Sequence, residues 1–296
     1  MSTSCYRGRF APSPTGALHA GSLVAAMASY CDARAHNGAW LVRIEDIDPP
    51  RDLPWAASHI LKTLNALGLE SDEPVLYQHD RHDAYRAALE SLRSQGLAYG
   101  CACSRREVAD AARARGLPEN VYPGTCRHGT GSRQARAIRF LTHHDPITWV
   151  DRHYGTQTQD VEAVVGDFVL LRADGLWAYQ LAVVVDDAYQ GITDIVRGAD
   201  LLDNTARQIA LMRALNLPIP RYLHLPLVLN QDGQKLSKQA GATPLNADNL
   251  LAELERAAQH LGLGRLGADN IRAFWPLAIN RWKELLEMQQ DVISAH

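Results

Sequence analysis

The chain has 296 residues, 46% of them hydrophobic and 21% charged, with a formal net charge of −3. These numbers permit one large or two modest hydrophobic cores, and the slightly acidic total gives no global attraction for nucleic acid. The five cysteines are an odd number and point to reduced thiols rather than a disulfide framework. The N-terminus, with Arg7 and Arg9 and no apolar run, does not read as a signal peptide, and no stretch is long enough to span a membrane. The expected location is therefore the cytoplasm.

Residues 6–10 read as a short strand, stopped by Pro12, Pro14 and Gly16. Leu23, Val24, Met27, Tyr30 and Cys31 then recur at helical spacing, which predicts a helix over 21–36 beginning near His19–Ser22. A strand, a tight turn and a helix start make a natural anion site, because first-turn N–H groups and the positive dipole end face the ligand. Gly21 allows close backbone approach, and His19 can donate to a phosphoryl oxygen. Read alone, the segment is equally a plain strand-to-helix connection. Strands at 40–44 and 75–78 alternate with helices at 54–67 and 81–95, predicting a parallel α/β sheet with nucleotide at its strand ends.

Residues 97–167 are rich in Cys and Arg and read as an insertion. Cys101 and Cys103 form a tight pair, and Cys126 follows, with His128 just beyond. Three thiolates and one further ligand suit a tetrahedral zinc, and His128 is the commoner residue type for the fourth place. Residues 104–115 carry a helical pattern. Arg105, Arg106, Arg113, Arg115, Arg127, Arg133, Arg136 and Arg139 cluster here against Glu107, Asp110 and Glu119. Local positive charge of this kind meets RNA phosphates, although a solvated helix gives the same pattern.

The sheet is expected to resume around Phe168 and over 223–229. The apolar run 181–185 reads as a strand, with Asp186 and Asp187 in the turn after it, a placement that does not require a metal. Asp232 and Gly233 mark another turn, and Lys235, Ser237 and Lys238 follow at once. Two ammonium groups suit the charge that builds on a triphosphate during attack at its α-phosphorus. Residues 240–296 read as helices: 246–261, with Leu250, Leu251, Leu254 and Ala257 on one side, and 275–286, with Leu277, Ala278 and Trp282 as its apolar face.

His19-Ala20-Gly21-Ser22 and Lys235-Leu236-Ser237-Lys238-Gln239 resemble, in order, the two signatures of class I aminoacyl-tRNA synthetases. The stretches 9–16, 43–48 and 179–187 through 197–202 are similar to the glutamyl/glutaminyl branch, and the likeness covers about residues 6–245. Ser22 departs from a second histidine, Leu236 from methionine and Gln239 from serine. The resemblance implies an α/β Rossmann-type parallel sheet with a zinc-containing insertion and a short helical C-terminal region. It divides the chain into a first Rossmann half (1–96), the insertion (97–167), a second Rossmann half (168–230), and the lysine loop with helices (231–296).

Residues 240–296 leave no room for a separate anticodon-reading module, so the resemblance narrows to a stand-alone paralogue of the glutamyl-tRNA synthetase catalytic domain. It implies a monomeric ligase that activates L-glutamate with ATP without tRNA and transfers it to the queuosine at the wobble position of tRNA(Asp). The alternative is a conventional but truncated enzyme charging the tRNA 3′ end. His19, Lys238 and Lys235 would be catalytic, and His19, Gly21, Ser22 and Lys238 would hold ATP with its Mg²⁺. Arg9, Ser13, Glu45, Tyr179 and Arg197 would bind glutamate, the two guanidiniums gripping its side-chain carboxylate. One structural zinc would take Cys101, Cys103, Cys126 and, by the resemblance, Tyr122 in place of His128.

Overall fold

The computed structural model of the chain describes residues 5–227 and 243–294, with side chains as far as Met288. The first elements are β1 (Arg7–Phe10), α1 (Ala20–Ala35), β2 (Ala39–Ile44), α2 (Ala56–Ala66), β3 (Leu76–Tyr77) and α3 (His82–Ser94). Next come β4 (Ala98–Cys101), α4 (Arg105–Ala114), β5 (Ala137–Phe140), β6 (Ile147–Asp151), β7 (Gly155–Gln159), α5 (Val161–Val164) and β8 (Val169–Leu171). The chain continues through α6 (Tyr179–Tyr189), β9 (Asp194–Gly198), α7 (Thr205–Ala214), β10 (Arg221–Leu225), α8 (Leu250–His260) and α9 (Ile271–Ser294). Two compact units interleave along the sequence. Met1–Tyr77, Ile192–Leu201 and Pro220–His296 form the first, and Gln78–Gly191 with Leu202–Ile219 the second.

In the first unit β1, β2 and β3 pair in parallel, with Arg9 opposite Leu41 and Arg43 opposite Leu76. β9 and β10 also pair in parallel, with Arg197 opposite His224. The Thr193 N–H donates to Arg7 O at 3.0 Å and the Arg7 N–H to Thr193 Oγ1 at 2.8 Å, tying the start of β9 to β1. Every residue of β2 after Ala39 is buried, the pattern of a strand covered on both faces. α1 presents Leu23, Val24, Met27 and Cys31 to this core, and its fully buried Ala26, Ala28 and Ala33 allow close approach. It ends where Asn37 takes a left-handed φ of 53°.

α8 and α9 close the same core. The Trp275 indole donates to Leu67 O at 2.9 Å and the Trp282 indole to Asp32 Oδ1 at 3.0 Å, so the C-terminal helix is pinned to α1 by a buried carboxylate. The buried face of α9 is Phe274, Trp275, Ala278 and Trp282, and Leu277, expected on it, is exposed. α8 begins at Leu250, after a short 3₁₀ turn over Ala247–Asn249.

In the second unit β4, β5 and β8 form an antiparallel sheet, and β6 and β7 form a hairpin. Two sequence expectations need correction here. β8, at the place where the parallel sheet was expected to resume, pairs antiparallel with β5. Residues 181–185 are not a strand but lie inside α6, where Leu181, Ala182, Val183 and Val184 are all buried. A helix buried nearly all round gives the same continuous apolar run as a central strand, so periodicity cannot separate them. Asp186 is therefore helical, not in a turn. Its carboxylate accepts from Gln78 Nε2 at 3.0 Å, Arg81 Nε at 3.1 Å and the Tyr85 hydroxyl at 2.5 Å.

Candidate active site and thiol cluster

The first unit gathers polar side chains at the carboxyl ends of its parallel strands, where open α/β sheets bind ligands. Arg9 is the third residue of β1, Glu45 directly follows β2, Arg197 is in β9 and His224 in β10. Their exposures are 3%, 7%, 5% and 0%, so each of these polar groups needs a partner in the fold or a ligand. Glu45 accepts from Arg43 Nη2 at 3.0 Å, and its backbone N–H donates to Pro12 O at 3.0 Å. That second bond fixes the turn after β1 against the end of β2. Residues 43 and 45 lie two apart, one near the end of β2 and one just beyond it, and their side chains meet.

Arg197 is held on several sides. Its Nε donates to His224 Nε2 at 2.9 Å, its Nη2 to Leu201 O at 3.3 Å, and its guanidinium stands over the Tyr222 ring at 5.5 Å. Because His224 Nε2 accepts, that imidazole is neutral with its proton on Nδ1. A neutral acceptor orients the guanidinium without itself adding a negative charge beside it. Sequence reasoning missed His224, Tyr222 and Arg43. For Arg43 the i, i+2 spacing from Glu45 was an available signal. For His224 no local signal exists, since its partner lies 27 positions away across a parallel pair.

The turn after β1 leads to the start of α1. Gly16 there has φ +151°, a conformation that L side chains rarely adopt. His19 is the N-cap of α1, and its Nδ1 accepts from the Ser22 N–H at 3.3 Å. This bond places the imidazole proton on Nε2, the donor that a phosphoryl oxygen requires. Gly21 and Ser22 lie in the first helical turn. Ser13 is exposed in the preceding loop. Pro244 forms an isolated bridge with His19, and the Leu245 N–H donates to Leu18 O at 3.0 Å. Pro244 and Leu245 thus lie beside the His19 turn. Lys235 and Lys238 lie outside the described residues. Tyr179 opens α6 in the second unit.

The second unit brings Cys101, Cys103 and Cys126 together with all sulfur atoms within 4.8 Å of one another. Cys103 Sγ and Cys126 Sγ are 3.5 Å apart, and the Tyr122 hydroxyl is 3.4 Å from Cys101 Sγ. Ligands around a tetrahedral zinc stand about 3.8 Å apart for two sulfurs and about 3.5 Å for sulfur and oxygen. The donor set fits such an ion. His128 is exposed and outside the cluster. Burial, then the neighbouring thiols, push the Cys103 thiol up to about 11, and burial pushes the Tyr122 phenol up. Cys126 moves down: against burial, hydrogen bonding at the Ala102 backbone and the Tyr122 hydroxyl favours its thiolate. Holding all the sulfurs ionised calls for a cation among them.

Two features position this cluster. Gly166, with φ +71°, lies so close to Tyr122 that an added Cβ would overlap the Tyr122 carbonyl oxygen. The Tyr122 N–H donates to Val165 O at 2.9 Å across the same approach. Arg127, next to Cys126, grips Asp167 with Nε at 2.7 Å and Nη2 at 2.8 Å, and reaches Glu162 with Nη1 at 2.6 Å.

The fold and this strand-end site define a class I tRNA synthetase catalytic domain. Residues 6–270 match the family described as tRNA synthetases class I (E and Q), catalytic domain, and the chain belongs to that family. It is an enzyme of the ATP-dependent ligase type. Its relatives include proteins named Glutamyl-Q tRNA(Asp) synthetase. That of Leptothrix cholodnii is 59% identical over 268 residues, 86% of this chain and 89% of that protein. Those of Burkholderia cenocepacia and Chromobacterium violaceum are 55% and 52% identical, each over about 95% of both chains.

Among solved structures, a glutamate-tRNA synthetase from Elizabethkingia anophelis superposes with a TM-score of 0.70 at 28% identity, over 80% of this chain and 53% of that one. A glutamate tRNA ligase from Elizabethkingia meningosepticum, in complex with its amino acid, gives 0.76 at 26% identity, over 93% and 64%. The chain thus spans between about half and two thirds of these solved proteins. No helix among the described residues is long and apolar enough to cross a membrane.

Proposed function

We propose that the chain activates L-glutamate with ATP, before any RNA binds, and transfers the glutamyl group to the queuosine at the wobble position of tRNA(Asp). The observation that carries the substrate is the buried guanidinium of Arg197, oriented by a neutral His224 at the end of the parallel strands. Arg9 is the second guanidinium. Two such groups favour a dicarboxylic amino acid over its amide, which offers one charged oxygen pair fewer. The relatives' name supplies the acceptor.

The reaction needs no protein nucleophile. An oxygen of glutamate's α-carboxylate bonds to the α-phosphorus of ATP while the bond to the bridging oxygen breaks, releasing pyrophosphate and leaving a mixed anhydride. Catalysis is positioning and charge stabilisation. His19 Nε2–H, the Gly21 N–H, the Ser22 hydroxyl, and the ammonium groups of Lys238 and Lys235 meet the phosphoryl charge, with Mg²⁺ accompanying ATP. Glu45 takes the substrate's α-ammonium group. For Ser13 and Tyr179 the role rests on the resemblance. Cys101, Cys103, Cys126 and Tyr122 hold a structural zinc, since four protein ligands leave no open position. The enzyme acts as a monomer in the cytoplasm.

Labelled glutamate and ATP, supplied with tRNA(Asp) bearing or lacking queuosine, test the reading. Label retained only on the queuosine-bearing RNA is the expected result. Equal labelling of unmodified tRNA(Glu) would overturn it.

A further inference from the structure

The second unit carries a half-open cavity of about 790 Å³ beside the thiol cluster, within the ~300–1,000 Å³ range of small-ligand sites. Val108, Val165 and Val169 contribute apolar lining, and Arg105, Arg136 and Arg139 bring three guanidiniums to it. The acids along its wall are already engaged. Asp174 pairs with Arg172, Glu119 with Arg113, and Asp167 with Arg127. Among the described residues Arg105, Arg136 and Arg139 have no carboxylate partner. Arg136 Nη2 reaches only a backbone oxygen, that of Ala102, at 3.3 Å. Arg139 lies over the Tyr122 ring at 3.7 Å and donates to Asp167 O at 2.7 Å, while its buried Nε has no hydrogen-bond partner.

An apolar pocket edged by unneutralised guanidiniums and an orphaned donor is complementary to one ligand chemistry. That chemistry is a flat base carrying a phosphate. We propose that this cavity is a subsite for a single nucleotide of the RNA substrate, separate from the strand-end site. The base lies against the valines, and the phosphodiester against Arg105 and Arg136. The proposal rests on the reading of the chain as an RNA-modifying ligase, but concerns residues that reading does not use. A free nucleotide such as ATP shares the chemistry, and the test separates the two sources.

The full chain and its Arg105→Ala/Arg136→Ala variant are titrated with the anticodon stem–loop RNA of tRNA(Asp) at several salt concentrations. Glutamate-dependent pyrophosphate exchange is measured in parallel without RNA. The expected result is an RNA Kd raised about tenfold and a salt slope reduced by about one, with exchange rate and KM for ATP unchanged. An Arg105→Lys/Arg136→Lys variant should recover most of the salt slope. Unchanged RNA affinity and slope would overturn the proposal, as would a raised KM for ATP with RNA binding intact, which assigns the cavity to free nucleotide. Absence of exchange in the unsubstituted chain would instead count against glutamate activation, so the two readings fail separately.

Discussion

At the scale of single residues, the proposed recognition of glutamate turns on how Arg197 is presented. Its Nε is committed to His224, and an ammonium cannot donate to that acceptor and to a carboxylate in the same planar arrangement. Arg197→Lys should therefore cost ~2 kcal/mol of glutamate binding, about a thirtyfold rise in KM for glutamate, with a smaller change in kcat. Pyrophosphate exchange at varied glutamate reads this directly, and an unchanged KM would contradict it. His19 acts on the other substrate, where charge develops only during attack. His19→Ala should lower kcat by about a hundredfold, or ~3 kcal/mol, with little effect on the KM for glutamate. Arg9, His19, Glu45 and Arg197 are proposed from short motifs whose spacing is local. His224 was not legible in the sequence, because a cross-strand pairing leaves no trace in either strand's own pattern.

Elements carry the next set of consequences. The thiol cluster depends on the close passage of the segment at Gly166 past Tyr122. Gly166→Ala adds both a strained φ and a steric overlap, which together should exceed ~2 kcal/mol. The expected outcome is loss of bound zinc and exposure of Cys101, Cys103 and Cys126 to a thiol reagent. Full metal content with protected thiols would argue against the geometry. Asp167 gives the same region a pH signature. Burial alone would raise its carboxyl, but hydrogen bonds from Arg127, Tyr99 and Thr142 outweigh that and hold it below the usual range. A depressed folded pKa gives stabilisation that is complete above about pH 4 and lost as pH falls through the folded value. Unfolding free energy measured from about pH 5 downward should fall less steeply in Asp167→Asn than in the unsubstituted chain. Identical slopes would exclude Asp167 as the group responsible. The three cysteines were readable from sequence, whereas α6 was misread because a valine-rich run fits a buried strand and a buried helix equally. The buried Asp186 near its end is explained by donors more than 100 positions upstream, such as Gln78 and Tyr85.

For the whole molecule, the alternation of strands and helices over the first 95 residues was enough to predict the parallel sheet. What alternation could not reveal is that the compact units interleave, so that α8 and α9 belong with β1–β3. Their attachment runs through the Trp275 and Trp282 indoles to groups over 200 positions away, beyond any pattern within the helices themselves. In the proposed reading, Arg9, Glu45 and Arg197 of the parallel-sheet unit recognise glutamate from positions that the fold itself holds. The decisive measurement is glutamate-dependent exchange between pyrophosphate and ATP by the purified chain with no RNA present. Exchange supported by glutamate, not by glutamine, and weakened in Arg197→Lys through KM is what this arrangement predicts. A chain that exchanges only after tRNA is added, or that accepts glutamine equally well, would contradict it.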